Sequence, residues 1–268
     1  MLTLALLIAM GVLALVPATA GADANQVLAN WQMNEGSNAS VMNDSSGNNI
    51  DGAIGSAVQT GVNFGGATVY RWSDTNPNQP PAKPERLIQV DDDDLNPGSD
   101  DYAVTVRFRT TRPFGNIIQK GQSNNLGGNW KWQIPKGRLV CVFTGIDAQG
   151  REVTKAVNSG RPEDGFAPLN DGQWHTARCE RRGDRVILTI DEGTPNERVR
   201  RGNGPTGTIA NDVPLTIGGK LNCDQIVATC DYFVGDIDYV KIETGPRGPS
   251  NSPPVAVAGG SCDHLECD

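Results

Sequence analysis

Residues 102–110 read Tyr-Ala-Val-Thr-Val-Arg-Phe-Arg-Thr, and their order decides the fold class. Side chains alternate across an extended chain, so Tyr102, Val104, Val106 and Phe108 fall on one side and Thr105, Arg107 and Arg109 on the other. One face suits a core and the other suits water, as in an antiparallel sheet covered on one side. Residues 138–143, 173–182 and 185–191 follow the same rule, and Gly183-Asp184 joins the last two in a tight hairpin. These three segments are expected to pair consecutively or nearly so. If the strands at 138–143 and 173–182 are neighbours, Cys141 and Cys179 can face each other across them.

Working outward, the stretch 231–243 keeps Phe233, Gly235 and Ile237 in one phase and Val240 and Ile242 in the other, which predicts a β-bulge near Asp238 and Tyr239. Residues 71–85 carry four prolines and cannot be a central strand; they read as a long surface loop. The 32 glycines and 17 prolines punctuate short alternating segments, and Leu-rich helical periodicity is absent after the N-terminal run. These features make the chain all-β.

The first twenty residues hold no Asp, Glu, Lys or Arg, and Leu2 to Val16 is apolar apart from Thr3 and Gly11. With Ala18-Thr19-Ala20 and Ala22-Asp23-Ala24 as small-x-small sites, residues 1–24 read as a signal peptide cleaved after Ala20 or Ala24. The apolar run is shorter than the ~20 residues that cross a bilayer. No basic residue precedes it, which suggests a true start further upstream. No later apolar run is long enough to span a membrane, so the exported product is expected to be soluble, without membrane insertion. The excess of 31 acidic over 23 basic side chains argues against nucleic acid as a partner.

Six cysteines in an exported chain suggest disulfides. Proximity favours Cys223 with Cys230 and Cys262 with Cys267, leaving Cys141 for Cys179, although sequence alone does not choose among the possible pairings. A zinc site fits poorly, with two histidines and no Cys-x-x-Cys. Residues 25–243 are expected to form one β-sandwich and 244–254 a stiff Pro/Gly/Ser linker. Residues 255–268 would open a further domain.

Several spaced motifs resemble one family. Trp31-Gln32-Met33-Asn34-Glu35-Gly36 with Asp44-Ser45-Ser46-Gly47-Asn48 and Asp51-Gly52 looks like an opening strand, turn and second strand. Leu95-Asn96-Pro97-Gly98 leading into the 102–110 segment resembles the entry to a central strand. Asn170-Asp171-Gly172-Gln173-Trp174-His175 and Phe233-Val234-Gly235-Asp236-Ile237-Asp238 are similar to a later signature and a closing strand. Together they resemble the laminin-G-like, concanavalin-A-like superfamily of secreted bacterial proteins. The resemblance implies a two-sheet antiparallel jelly-roll sandwich. Two features depart from the family: the 71–85 loop looks inserted, and Asp191-Glu192-Gly193 replaces a usual Asp-Gly. The tail, Asn251-Ser252-Pro253-Pro254-Val255-Ala256 with Cys262 and Cys267, resembles the start of a PKD domain.

Catalysis on such a sandwich would need a pair of carboxylates. Asp236, Asp238 and Glu243 come nearest, but their spacing does not match the Glu-x-Asp-x-x-Glu of laminarinase-like enzymes. His175 beside Trp174 reads as packed, and no phosphate-binding glycine loop opens a helix. The resemblance makes Ca2+ the expected cofactor, with Glu35, Asp44, Asn48 and Asp238 as donors; Asp44 to Asn48 reads equally as a turn. The run Asp91 to Asp94 reads as a solvated loop. Asn38-Ala39-Ser40 is a glycosylation sequon only in hosts that use it. For sugar stacking the candidates are Trp72 on the 71–85 loop and Trp130 with Trp132, which share a strand face and read also as core.

The function expected is therefore a secreted, non-catalytic binding module for a polysaccharide or a cell-surface glycoprotein, with or without Ca2+. A divergent glycoside hydrolase using Asp236 and Asp238, and a structural spacer within a larger extracellular protein, remain the alternatives.

Overall fold

The computed structural model describes residues 26–73, 85–123, 125–221 and 231–245. The signal-peptide stretch 1–24, most of the proline-rich loop, Cys223, Cys230, Cys262, Cys267 and the tail after Gly245 lie outside the described residues. In chain order the strands are β1 (Gln26–Trp31), β2 (Val41–Met42), β3 (Gly52–Ile54), β4 (Gln59–Phe64), β5 (Ala67–Trp72), β6 (Ile88–Val90), β7 (Tyr102–Arg109) and β8 (Asn116–Lys120). They continue with β9 (Asn129–Gln133), β10 (Val140–Ile146), β11 (Glu152–Asn158), β12 (His175–Arg182), β13 (Arg185–Ile190), β14 (Arg198–Asn203), β15 (Leu215–Ile217) and β16 (Gly235–Thr244).

These strands form two sheets. The first runs β14-β13-β12-β7-β16-β5-β4, with β1 joined to β16, and the second runs β11-β10-β9-β8-β15-β6-β3-β2. The result is all-β, as the alternation predicts, and it is the two-sheet antiparallel jelly-roll sandwich that the family resemblance implies. Central strand β7 lies between β12 and β16, and Tyr102, Val104, Val106 and Phe108 are all buried against the second sheet. The hairpin at Gly183-Asp184 joins β12 to β13 as read from the sequence. Among the described residues no helix is long and apolar enough to cross a membrane.

The bulge predicted near Asp238 is present, since the register of β16 against β7 shifts between Ile237 and Tyr239. It divides the other edge of β16 between two partners. Gly235, Asp236 and Ile237 pair with β5, whereas Val240 to Thr244 pair with β1.

Cys141 and Cys179 are bonded, with their Cα atoms 6.4 Å apart. Their strands are not neighbours, however. Cys141 is on β10 of the second sheet and Cys179 on β12 of the first, so the bond staples the sheets across the core. Alternation reveals that both side chains face inward without revealing which layer each strand joins.

The three sugar-stacking candidates are core residues, as the sequence also allowed for Trp130 and Trp132 but not for Trp72. Trp72 belongs to β5 and not to the proline-rich loop; it is 1% exposed, donates its indole N–H to Arg86 O at 3.0 Å, and meets Phe233 edge-on at 6.0 Å. Gly218 lies directly against it: a Cβ there would sit 2.1 Å from Trp72 Nε1, and its φ of 93° independently favours glycine. Trp130 and Trp132 do share a face, but it is the inner one, and both are fully buried, Trp130 packing on Tyr102 at 5.7 Å. None of the three offers a face to a sugar.

Candidate functional site

The outer face of the first sheet carries a layered charge array. Thr105, Arg107 and Arg109 of β7 point outward, as the alternation requires, beside Arg71 of β5, Asp236 and Asp238 of β16, and Arg178 of β12. Asp236 lies beneath two guanidiniums. Its Oδ1 accepts from Arg71 Nε at 2.6 Å, and its Oδ2 accepts from Arg109 Nε at 2.6 Å and Arg71 Nη2 at 3.1 Å. The Asp236 side chain is 2% exposed, against 34% for Arg71 and 25% for Arg109.

The same order repeats along the face. Arg107 Nη1 donates to Asp238 Oδ2, and Arg178 pairs with Glu243 and, at 3.5 Å, with Glu180. In these pairs the carboxylates are the more covered partners, so cations dominate what a ligand would meet. The hydrogen bond to Asp236 raises the Arg71 pKa above its ordinary value, outweighing burial. Burial acts to lower that of Arg178, but the Glu243 and Glu180 carboxylates turn the net shift upward.

Two aromatic side chains cap this array. Phe64 ends β4 just before the Gly65-Gly66 turn, where φ values of 60° and 89° suit glycine, and it remains exposed. Trp174 precedes β12 and is half-buried, its ring meeting Phe64 edge-on at 5.9 Å. The Arg109 guanidinium carbon lies 3.8 Å from the Phe64 ring centroid and 5.9 Å from that of Trp174, while that of Arg107 lies 4.7 Å from Trp174. Arg109 is therefore held by Asp236 through Nε and by an aromatic face against its plane.

Neither Phe64 nor Trp174 is among the aromatics singled out as sugar-binding in the sequence. A signal was available for Trp174: the phase that sends His175, Ala177 and Cys179 inward sends residue 174 outward. For Phe64, at a hairpin end, local pattern gave no such guide.

The catalytic alternatives find little support. Asp236 cannot be reached from solvent without displacing the arginines above it, and Asp238 is ion-paired. His175 is packed, as read from the sequence, with Nδ1 at 2.7 Å from Asp191 Oδ2 and Nε2 at 3.2 Å from Asp171 Oδ1. Asp191 also accepts from Thr176 N at 2.9 Å, so the His175 cluster ties the start of β12 to the end of β13.

The four expected calcium donors do not make a ligand set. Glu35 Oε1 accepts from Asn43 N and Nδ2, and Oε2 accepts from Tyr70 Oη. Asp44 accepts from Asn30 N, Ser46 N, Ser46 Oγ and Ile50 N, which is the turn reading. Asn48 points its Nδ2 donor at Leu28 O, 2.8 Å away, and Asp238 holds Arg107. Among the described residues no three His, Cys, Asp or Glu side chains gather as a metal site. The acidic run 91–94 forms a capped turn, with Asp92 accepting from Asp94 N at 2.8 Å.

The chain is thus a two-sheet sandwich whose first sheet carries an ion-paired acid cluster on its outer face. Residues 108–244 match the laminin G domain family, and the chain belongs to that family. Laminin G domains are generally non-catalytic binding modules.

Among solved structures, the botulinum neurotoxin serotype D ligand binding domain in complex with N-acetylneuraminic acid is similar at 13% identity and a TM-score of 0.51, over 84% of this chain and 48% of that one. The receptor binding domain of botulinum neurotoxin D gives 13% identity and 0.48, over 82% and 48%. Domains LG4-5 of the mouse laminin alpha1 chain give 18% and 0.41, over 55% and 37%. The chain thus spans less than half the length of each of these structures.

Proposed function

We propose that this chain is an extracellular, non-catalytic module that binds a polysaccharide or glycoprotein glycan on the outer face of its first sheet, around Phe64, Trp174, Arg107 and Arg109. The observation that carries the reading is the pair of guanidiniums stacked on partly exposed aromatics over buried carboxylates. Such a surface is rigid before the ligand arrives, so little side-chain entropy is lost on binding. Family membership supports binding over catalysis, and the cross-sheet disulfide fits an oxidising compartment. The donor geometry favours binding that needs no calcium.

A glycan array and pull-down on insoluble polysaccharides test this. Wild-type protein is expected to be retained on at least one polymer, equally with and without chelator. Trp174→Ala is expected to weaken retention by roughly tenfold or more with little change in melting temperature. Wild-type protein retained on no polymer would overturn the reading, and so would reducing-sugar release abolished by Asp236→Ala.

A further inference from the structure

We infer that the free edge of β11 takes up an extended segment of a partner protein as an added antiparallel strand, and that this segment carries acidic side chains on the face that meets Lys155. The site belongs to the second sheet and is independent of the Phe64 and Trp174 face.

A strand at the end of a sheet has outward N–H and C=O groups without ladder partners, and folded proteins normally blunt such edges. Strand β2 has only two residues, and β4 is bulged between Gln59 and Val62. Strand β14 carries Arg198, Arg200 and Arg201. Along β1 the carbonyls of Val27, Leu28 and Asn30 accept from Asn48, Ser46 and Ser45. Strand β11 differs: it is seven residues long, keeps an unbroken register against β10 and holds no proline.

The ladder fixes which of its groups are free. Asp147 N donates to Arg151 O, and Ser159 N to Leu139 O, both at 2.9 Å, in hydrogen-bonded pairs at its two ends. Such pairs recur at every second residue, so Glu152, Thr154, Ala156 and Asn158 turn their N–H and C=O groups away from β10. Glu152, Thr154 and Ala156 are exposed, and among the described residues no strand pairs with this side of β11. That is a template for strand addition, in which main-chain bonds supply affinity and alternate side chains supply specificity.

Lys155 supplies the specificity. It points inward at the seam between the sheets, half-buried over Gly202 and Gly204, and a Cβ on Gly204 would lie 3.0 Å from its Nζ. Its ammonium has no ion pair or hydrogen bond among the described residues. A strand added antiparallel to β11 would face Lys155 in a non-hydrogen-bonded pair, where side chains approach most closely, so a carboxylate there would meet the ammonium. The same residue works against a second copy: two β11 strands paired about Thr154 would set their Lys155 side chains diagonally adjacent.

The probe is a fluorescein-labelled peptide, Thr-Glu-Val-Glu-Val-Glu-Thr, read by anisotropy against the full chain, with a twin in which lysine replaces glutamate. Wild-type protein is expected to bind the glutamate peptide at least about tenfold more tightly than its twin, and Lys155→Glu to reverse the order. Alternation provides an internal control, because the valines and threonines would turn their N–H groups to β11 and the glutamates theirs away. N-methylation of the valines is therefore expected to abolish binding, and N-methylation of the glutamates to spare it.

Ala156→Pro and Thr154→Pro each delete one outward N–H while leaving the bonds to β10, and each is expected to weaken binding by roughly fivefold to tenfold. Thr154→Pro also loses the hydroxyl contact with Thr144, so melting curves accompany both variants and Ala156→Pro is the cleaner of the two. A folded Ala156→Pro variant that binds as wild type overturns strand addition, as does binding of neither peptide by wild type. Equal affinity for the two peptides overturns the acidic partner. A dimer seen by sedimentation and dispersed by Ala156→Pro would assign the edge to a second copy instead. Retention on polysaccharide is expected to be unchanged in all these variants.

Discussion

Asp44 shows how a single carboxylate sets a local structure. Burial acts to raise its pKa, but hydrogen bonds from the Ser46 hydroxyl and from the Asn30, Ser46 and Ile50 amides together hold it below the ordinary 3.8. A carboxyl group with a depressed folded-state pKa contributes stability that is complete above its unfolded value and is lost as pH falls through the folded one. Asp44→Asn is therefore expected to be less stable than wild type at neutral pH, with the difference shrinking as pH drops below 3.8; urea midpoints from pH 7 to pH 2.5 measure this. Arg181 is the opposite kind of residue, a cation on the inward phase of β12. It is 2% exposed and bonded to the carbonyls of Pro97, Gly98, Asp100 and Gly207, and burial pushes its pKa down to about 10. Alternation placed it inside, but the carbonyl cage that makes a buried guanidinium tolerable comes from loops distant in sequence.

At the scale of elements, sequence pattern was informative wherever a strand reports on itself. The two faces of β7, the Gly183-Asp184 hairpin and the bulge in β16 were all legible, because each is a matter of local phase. Layer membership was not, since β10 and β12 have similar inward faces but belong to opposite sheets. Trp72 was misplaced for a related reason: the prolines that follow it obscured the end of β5, whose Tyr70 and Trp72 keep an inward phase. The disulfide that joins the layers closes a segment of 38 residues, for which loop-closure entropy suggests about 4 kcal/mol. The paired substitution Cys141→Ala/Cys179→Ala is expected to lower unfolding free energy by roughly 2–4 kcal/mol, read from denaturant midpoints, while far-ultraviolet circular dichroism keeps its strand signature.

Over the whole molecule, the proposed binding face is assembled from β4, β5, β7 and β16 and the approach to β12, so no single motif could have displayed it. Individual pieces were readable, such as outward Arg107 and Arg109, but their union with Phe64 depends on the folding over of a hairpin. The expected calcium donors are likewise scattered along the sequence: residues 35, 44, 48 and 238 have suitable oxygen chemistry, and each is engaged in protein bonds of its own. Melting temperature is accordingly expected to stay the same, within error, when calcium is added or EDTA replaces it. A calcium-dependent rise of several degrees would show that the oxygen donors rearrange.

The divided edge of β16 also constrains the timing of assembly. Strand β16 is the last described in chain order, yet it separates β7 from both β5 and β1. A growing chain that has made everything up to Phe233 still holds β1 and β5 without their shared neighbour, and their edges stay open to wrong partners. The first sheet must close by inserting a late strand between early ones, so non-local contacts dominate and folding is expected to be slow. Such a sheet is completed from its middle, only after synthesis has passed Thr244.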